Sequence, residues 1–227
     1  TAPAGPPARR DGAPPWRVLL FVHFSANIVF AAYVAYHALE IAERHAGAWG
    51  DDTVRAGMLG LGAALIALVA TTTVLLSRPR TLARPAHLIV VAGILLAISL
   101  LLRAATDGIS ALLVALACGG VAIGLNSSAL FTAALESGHA DKVGRRMGAY
   151  SACGLVGQLF GPPLGLVVIT ATAEGEGYRT MFAAFALLPA SWAVVVAFAS
   201  ARVRVRQLLP SPSEPTSSEP GAVPPSR

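Results

Sequence analysis

The stretch from Gly154 to Gly165, "GLVGQLFGPPLG", sets four glycines and two prolines inside an otherwise apolar run. In water each interior glycine costs a helix roughly 1 kcal/mol and each interior proline about 3 kcal/mol, so a soluble helix has no reason to keep this composition. Gly154, Gly157, Gly161 and Gly165 are spaced 3, 4 and 4 residues apart and therefore lie along one helix face, which Ser151 and Gly148 extend backwards. In lipid there is little hydrophobic drive between helices, and a stripe without side chains lets two backbones approach closely. The stretch reads as a membrane helix packed tightly along one side, bent at Pro162–Pro163 with neighbours satisfying the freed carbonyls.

The rest of the chain agrees with that reading. Asp, Glu, Lys and Arg are absent from six windows, 18–39, 56–77, 85–102, 108–135, 147–173 and 180–201, which are 22, 22, 18, 28, 27 and 22 residues long. At about 1.5 Å per residue such windows cross, or nearly cross, a hydrocarbon core of about 30 Å. A soluble helical protein would carry charges every turn or two on its outer faces. With 55% hydrophobic and 13% charged residues and a mean hydropathy of +0.64, the chain is expected to be an all-α membrane protein. Its six transmembrane helices are placed at approximately 17–40, 55–77, 85–104, 108–135, 146–172 and 179–202, within a domain spanning 16–206. The flanks differ in composition: residues 1–15 are rich in Pro, Ala and Gly and 207–227 in Pro and Ser, so both are expected to be disordered, a linker and a tail. The start at threonine is read as that of a fragment, and the first apolar run has no small-residue cleavage site of a removable signal peptide.

Charge gives the orientation. Thirteen of the 17 basic residues, among them Arg17, Arg78, Arg84, Lys142, Arg145, Arg146 and Arg202, fall on one side, while Arg44, Arg55, Arg103 and Arg179 share the other with seven acids. The excess of Lys and Arg predicts a multi-pass protein of the cell (plasma) membrane with both termini cytoplasmic. The net charge of +5 is thereby assigned to loops rather than to nucleic-acid binding. Cys118 and Cys153 both sit in spans as small apolar residues, so neither a disulfide nor a metal site is expected.

The spans fall into an order that repeats. The first and fourth carry polar groups, the second and fifth carry glycines, and the third and sixth are nearly pure hydrocarbon. The two triplets run in opposite directions, as a 3+3 inverted-topology repeat would; the alternative is a coincidence of three helix types. With its six spans, the basic loop "DKVGRRMGAYSACG" at 141–154 and "GQLFGPPLG" at 157–165, the chain resembles half of a major facilitator superfamily transporter over about residues 16–206. The family's fifth helix often carries G-x-x-x-G-P-x-x-G-G, which Gly157, Gly161, Pro162 and Gly165 match while Leu166 replaces the last glycine. The loop "SRPRTLARP" at 77–85 keeps the basic residues of the family's signature loop but lacks its Gly and Asp, which points to the C-terminal half. The resemblance implies a partner, the other six-helix half of the same carrier, and implies that the helix-packing motif (Gly154, Gly157, Gly161, Pro162, Gly165) slides or rocks against that half; packing within the bundle is the alternative.

The first span carries the most chemistry. His23, Asn27, Phe30, Val34 and His37 share one face, and a polar face in lipid is expected to look into the bundle or a cavity. Asn27 lies about 15 Å along the axis from Arg17, near the midplane where carriers hold substrate. His23, Asn27 and Phe30, with Asn126 and Ser127 of the fourth span facing them, are therefore the expected substrate path. For His23 the alternative is a structural hydrogen bond, for His37 an interfacial place beside Glu40, and Ser128 is expected to bond back to its own helix. No Asp or Glu lies in mid-span and no Arg or Lys is counted as intramembrane, so neither a proton-relay carboxylate nor an anion site is expected. The serines lack a partnered histidine and no H-E-x-x-H occurs, so the chain is not expected to be an enzyme or to hold a cofactor. The leading expectation is transport of a small organic solute by alternating access, in the direction of export, with lipid and the solute as partners. A non-transporting scaffold assembled through the glycine-rich helix is the alternative.

Overall fold

The computed structural model describes residues 14–49, 52–78, 82, 84–136 and 143–208. It has six helices and, among the described residues, no strand: α1 (Trp16–Trp49), α2 (Asp52–Ser77), α3 (Pro85–Ala105), α4 (Ile109–Glu136), α5 (Val143–Thr170) and α6 (Gly177–Leu208). Each contains a segment long and apolar enough to cross a membrane, so the chain has the make-up of a multi-pass, all-α membrane protein. The linker at 1–15 and the tail at 207–227 fall almost wholly outside the described residues.

Helix ends follow local chemistry. Pro85 opens α3, where a missing backbone N–H costs nothing. Gly175, with φ of 81°, turns the chain between α5 and α6, a conformation that a Cβ would penalise. α1 continues 34 residues to Trp49, well past the span expected to close at 40. The charges that end its apolar window do not end its helix, because Glu40 and Arg44 pair one turn apart at 2.9 Å. At the far end of the bundle α1 and α3 finish and α4 and α6 begin.

The most extensive packing joins α3 to α6, α3 to α4, α1 to α5 and α2 to α4. In the α3–α6 seam the Trp192 indole, fully buried, lies over Gly93, and a Cβ there would come within 2.8 Å of the Pro189 carbonyl. In the α1–α5 seam a Cβ on Gly161 would lie 2.5 Å from the Ile28 carbonyl and 2.9 Å from the Ala31 methyl. The glycine stripe of α5 is thus filled by α1: Gly154 faces His23, Gly157 faces the Phe24 carbonyl and Gly165 the Tyr36 ring. The contact is packing within the bundle. The α2–α4 seam uses glycine in the same way, with Gly120 set against the Ala64 carbonyl and Gly124 against Leu68 and Thr71. α5 runs unbroken through both prolines, and the Tyr36 hydroxyl donates to the Pro162 carbonyl at 2.7 Å.

Candidate functional site

Close approach of α5 to α1 and of α4 to α2 leaves a cavity of about 310 Å³ between the two pairs, with Leu96 of α3 at its back. His23, Asn27, Phe30, Asn126 and Ser127 all line it. Among the described residues, no Asp, Glu, Lys or Arg does. Its level follows from α1, since Asn27 is about 16 Å along the axis from Trp16.

The polar groups of the cavity are unequally occupied. Asn27 is tied at both ends: its Nδ2 donates to the His23 carbonyl at 2.8 Å, and its Oδ1 accepts from Gln158 Nε2 at 3.0 Å. The His23 ring stacks on Tyr150, with centroids 3.6 Å apart and planes 16° from parallel. Asn126 is different. It is 5% exposed, and its Oδ1 has no hydrogen-bond partner among the described residues. Ser128, beside the cavity, is buried with its Oγ likewise unpartnered, so the expected bond back to its own helix does not form.

Two polar lining residues were not placed on the path by the sequence reading. Gln158 stands one position after Gly157 inside the quoted stretch, and a glutamine in an apolar span was signal enough to find it. Tyr33 lies off the face drawn through His23 and His37, yet it closes one end of the cavity. The single polar face expected along α1 is in fact divided, because the helices around α1 change along its length: Val34 is 52% exposed, and His37 leaves the cavity for a second polar centre.

That second centre sits at the far end, about 36 Å along α1 from Trp16, where the sequence suggested only loop charges. Arg103 of α3 and Glu40 of α1 are 1% and 0% exposed. Arg103 Nη2 donates to Glu40 Oε2 at 2.5 Å and to His37 Nδ1 at 2.7 Å. A guanidinium only donates, so the His37 proton belongs on Nε2, 3.4 Å from the Gly57 carbonyl of α2. The guanidinium carbon lies 4.5 Å from the Tyr33 ring centre and 4.3 Å from that of Phe182 on α6, within cation–π range. Arg44 bonds the other Glu40 oxygen, the Arg103 and Thr106 carbonyls at 3.2 and 3.1 Å, and Asp107 at 2.6 Å. It thereby caps the orphan carbonyls where α3 ends. Arg179 of α6 bonds the other Asp107 oxygen. The Arg44 guanidinium, followed by that of Arg179, holds the Asp107 carboxyl below its ordinary range. The expectation that no arginine lies within a span is therefore corrected for Arg103, which is buried against Glu40 near the end of α1. The physical reason is mutual neutralisation, which no single residue's hydropathy expresses.

No family model, curated protein or solved structure matches the chain significantly.

Proposed function

We propose that this six-helix unit belongs to a secondary carrier that moves a small organic solute across the plasma membrane by alternating access, in the direction of export, with both termini cytoplasmic. The observation that carries the reading is the cavity at the level of Asn27, mainly apolar, with a few polar side chains from α1, α4 and α5 and no Asp, Glu, Lys or Arg among its described lining residues. Carriers hold substrate at that level, at the junction of structural repeats. The packing agrees with a 3+3 inverted repeat in part: exchanging α1 with α4, α2 with α5 and α3 with α6 turns the α1–α5 seam into the α4–α2 seam and leaves α3 against α6, but it turns the extensive α3–α4 seam into the much slighter α6–α1 contact. A major facilitator half, completed by a second six-helix unit, is the architecture this symmetry suits. The scaffold alternative loses its main support, since the glycine stripe that would have recruited a partner is occupied by α1.

Cysteine labelling tests the reading. In a background carrying Cys118→Ala and Cys153→Ala, Asn27→Cys is expected to react with a membrane-impermeant thiol reagent in sealed vesicles of both orientations. Ala32→Cys, at a position 1% exposed, is expected to stay unlabelled. Equal labelling at the two positions, or access to Asn27→Cys from neither side, overturns the solute path.

A further inference from the structure

The cavity carries information about the chemistry of its occupant. An ionised solute entering it would meet no opposite charge, and a charge buried without a partner is strongly disfavoured. The nearest buried cation, Arg103, stands behind the Tyr33 ring and is already engaged by Glu40 and His37. The walls are mainly hydrocarbon, with the Phe30 and Tyr33 rings along one side. The volume of about 310 Å³ lies at the lower end of the range of about 300–1,000 Å³ for small-molecule sites, which suits a body of about two rings.

Within this apolar space one buried polar side chain has an atom without a partner among the described residues, and the exposed Ser127 lines it as well. Asn27 is satisfied by His23 and Gln158, whereas the Asn126 amide, more than nine-tenths buried, lines the cavity with its oxygen unpartnered among the described residues. A primary amide offers a donor and an acceptor side by side, and rotation by 180° exchanges them. Its complement is another donor–acceptor edge, as in an amide, lactam or urea, which fills both positions with parallel hydrogen bonds. A carboxylate fills one and opposes the other, an ammonium the reverse.

We propose that the cavity takes an uncharged solute with an apolar ring-bearing body, and that Asn126 recognises an amide-type edge on it. The proposal rests on the reading of the cavity as the solute path. It makes Asn126 a specificity-determining residue and leaves Asn27 and Gln158 as part of the fixed wall.

The test is equilibrium binding of radiolabelled biphenyl-4-carboxamide to the purified full chain in lipid nanodiscs, with binding to empty nanodiscs subtracted. Competitors share the biphenyl body: unlabelled amide, its N,N-dimethyl derivative, biphenyl-4-carboxylate and 4-phenylbenzylammonium. The unlabelled amide is expected to compete about tenfold better than the other three, the order of one well-made buried hydrogen bond. Asn126→Leu is expected to weaken the amide about tenfold while leaving the dimethyl derivative unchanged. Ile123→Trp, which fills the cavity from α4, should remove binding of every probe while keeping the unfolding midpoint. Equal competition by either charged probe, or an unaltered amide affinity in Asn126→Leu, overturns the solute class but leaves the path standing if Asn27→Cys still labels. Absence of amide binding, or binding that survives Ile123→Trp, overturns the site itself.

Discussion

The cavity and the far-end charge cluster are both built on α1, and Tyr33 belongs to each: it closes the cavity and lies under the Arg103 guanidinium. They treat buried polarity in opposite ways. At the far end Arg103, Glu40, Arg44 and Asp107 bond one another, and the charges nearly cancel. In the cavity the groups are neutral and the Asn126 amide oxygen has no partner among the described residues. The cluster is not fully satisfied either, since Arg103 Nη1 and Arg44 Nε have no hydrogen-bond partner among the described residues; what sets it apart is that its ions pair with one another and so tie helices together, whereas the cavity offers no charge to pair with. The difference teaches that a missing partner marks a ligand-facing residue only where the residue also lines a cavity, as Asn126 does.

The largest effect is expected from breaking the cluster. Glu40→Gln leaves Arg103 buried without its counter-charge and is expected to destabilise the chain by about 3–5 kcal/mol. Urea unfolding in detergent micelles, followed through the buried Trp192, measures it. The double variant Glu40→Met/Arg103→Met removes both charges and is expected to recover most of that loss. A double variant as unstable as the single one would mean that the pair is not the unit that matters.

A smaller effect of opposite sign sharpens the contrast. Asn126→Leu keeps the volume of the cavity wall and removes an unfilled amide, so the same unfolding measurement should show a gain of about 0–1 kcal/mol. Loss of ligand binding in that variant would then be separable from loss of fold. Destabilisation by about 2 kcal/mol or more would show instead that the Asn126 amide is satisfied within the bundle, like the groups of the cluster.

The smallest effect lies at the rim of the cluster and depends on pH. The Asp107 carboxyl is held below its ordinary value by Arg44 and Arg179. Its contribution is therefore fully present above the unfolded value of about 3.9 and is lost as pH falls through the lowered folded value. With the Asp107 side chain 56% exposed, solvent screening limits that contribution to at most about 1 kcal/mol. Asp107→Asn is expected to flatten the decline of stability below about pH 4 by that amount and to change little at neutral pH. An unchanged acid limb would show that Asp107 does not take part in holding the far end.

Much of the helical plan was legible in the chain because it follows from local rules. Six charge-free windows located the apolar centres of six helices, since lipid excludes isolated charge. The 3, 4, 4 spacing from Gly154 to Gly165 located a close contact, since equal azimuth on a helix is a property of numbering alone. The same arithmetic singled out His23, Asn27 and Phe30 as sharing a face, and the structure sets them around one cavity with Asn126 and Ser127. Helix ends were less legible: α1 runs to Trp49 because a charge stops an apolar window without stopping a helix.

Which neighbour each face meets was decided only by tertiary structure. The spacing of the glycines does not say that α1 fills their stripe, and Gly120 and Gly124 of α4 drew no notice until α2 was seen against them. Arg103 and Glu40 are 63 positions apart in the chain, and each alone reads as a solvated charge at a helix end. Burial of a charge depends on the partner that cancels it, and vacancy at an amide depends on the groups that fail to reach it. Both are relations between residues distant in sequence, so they exist only once the helices are packed.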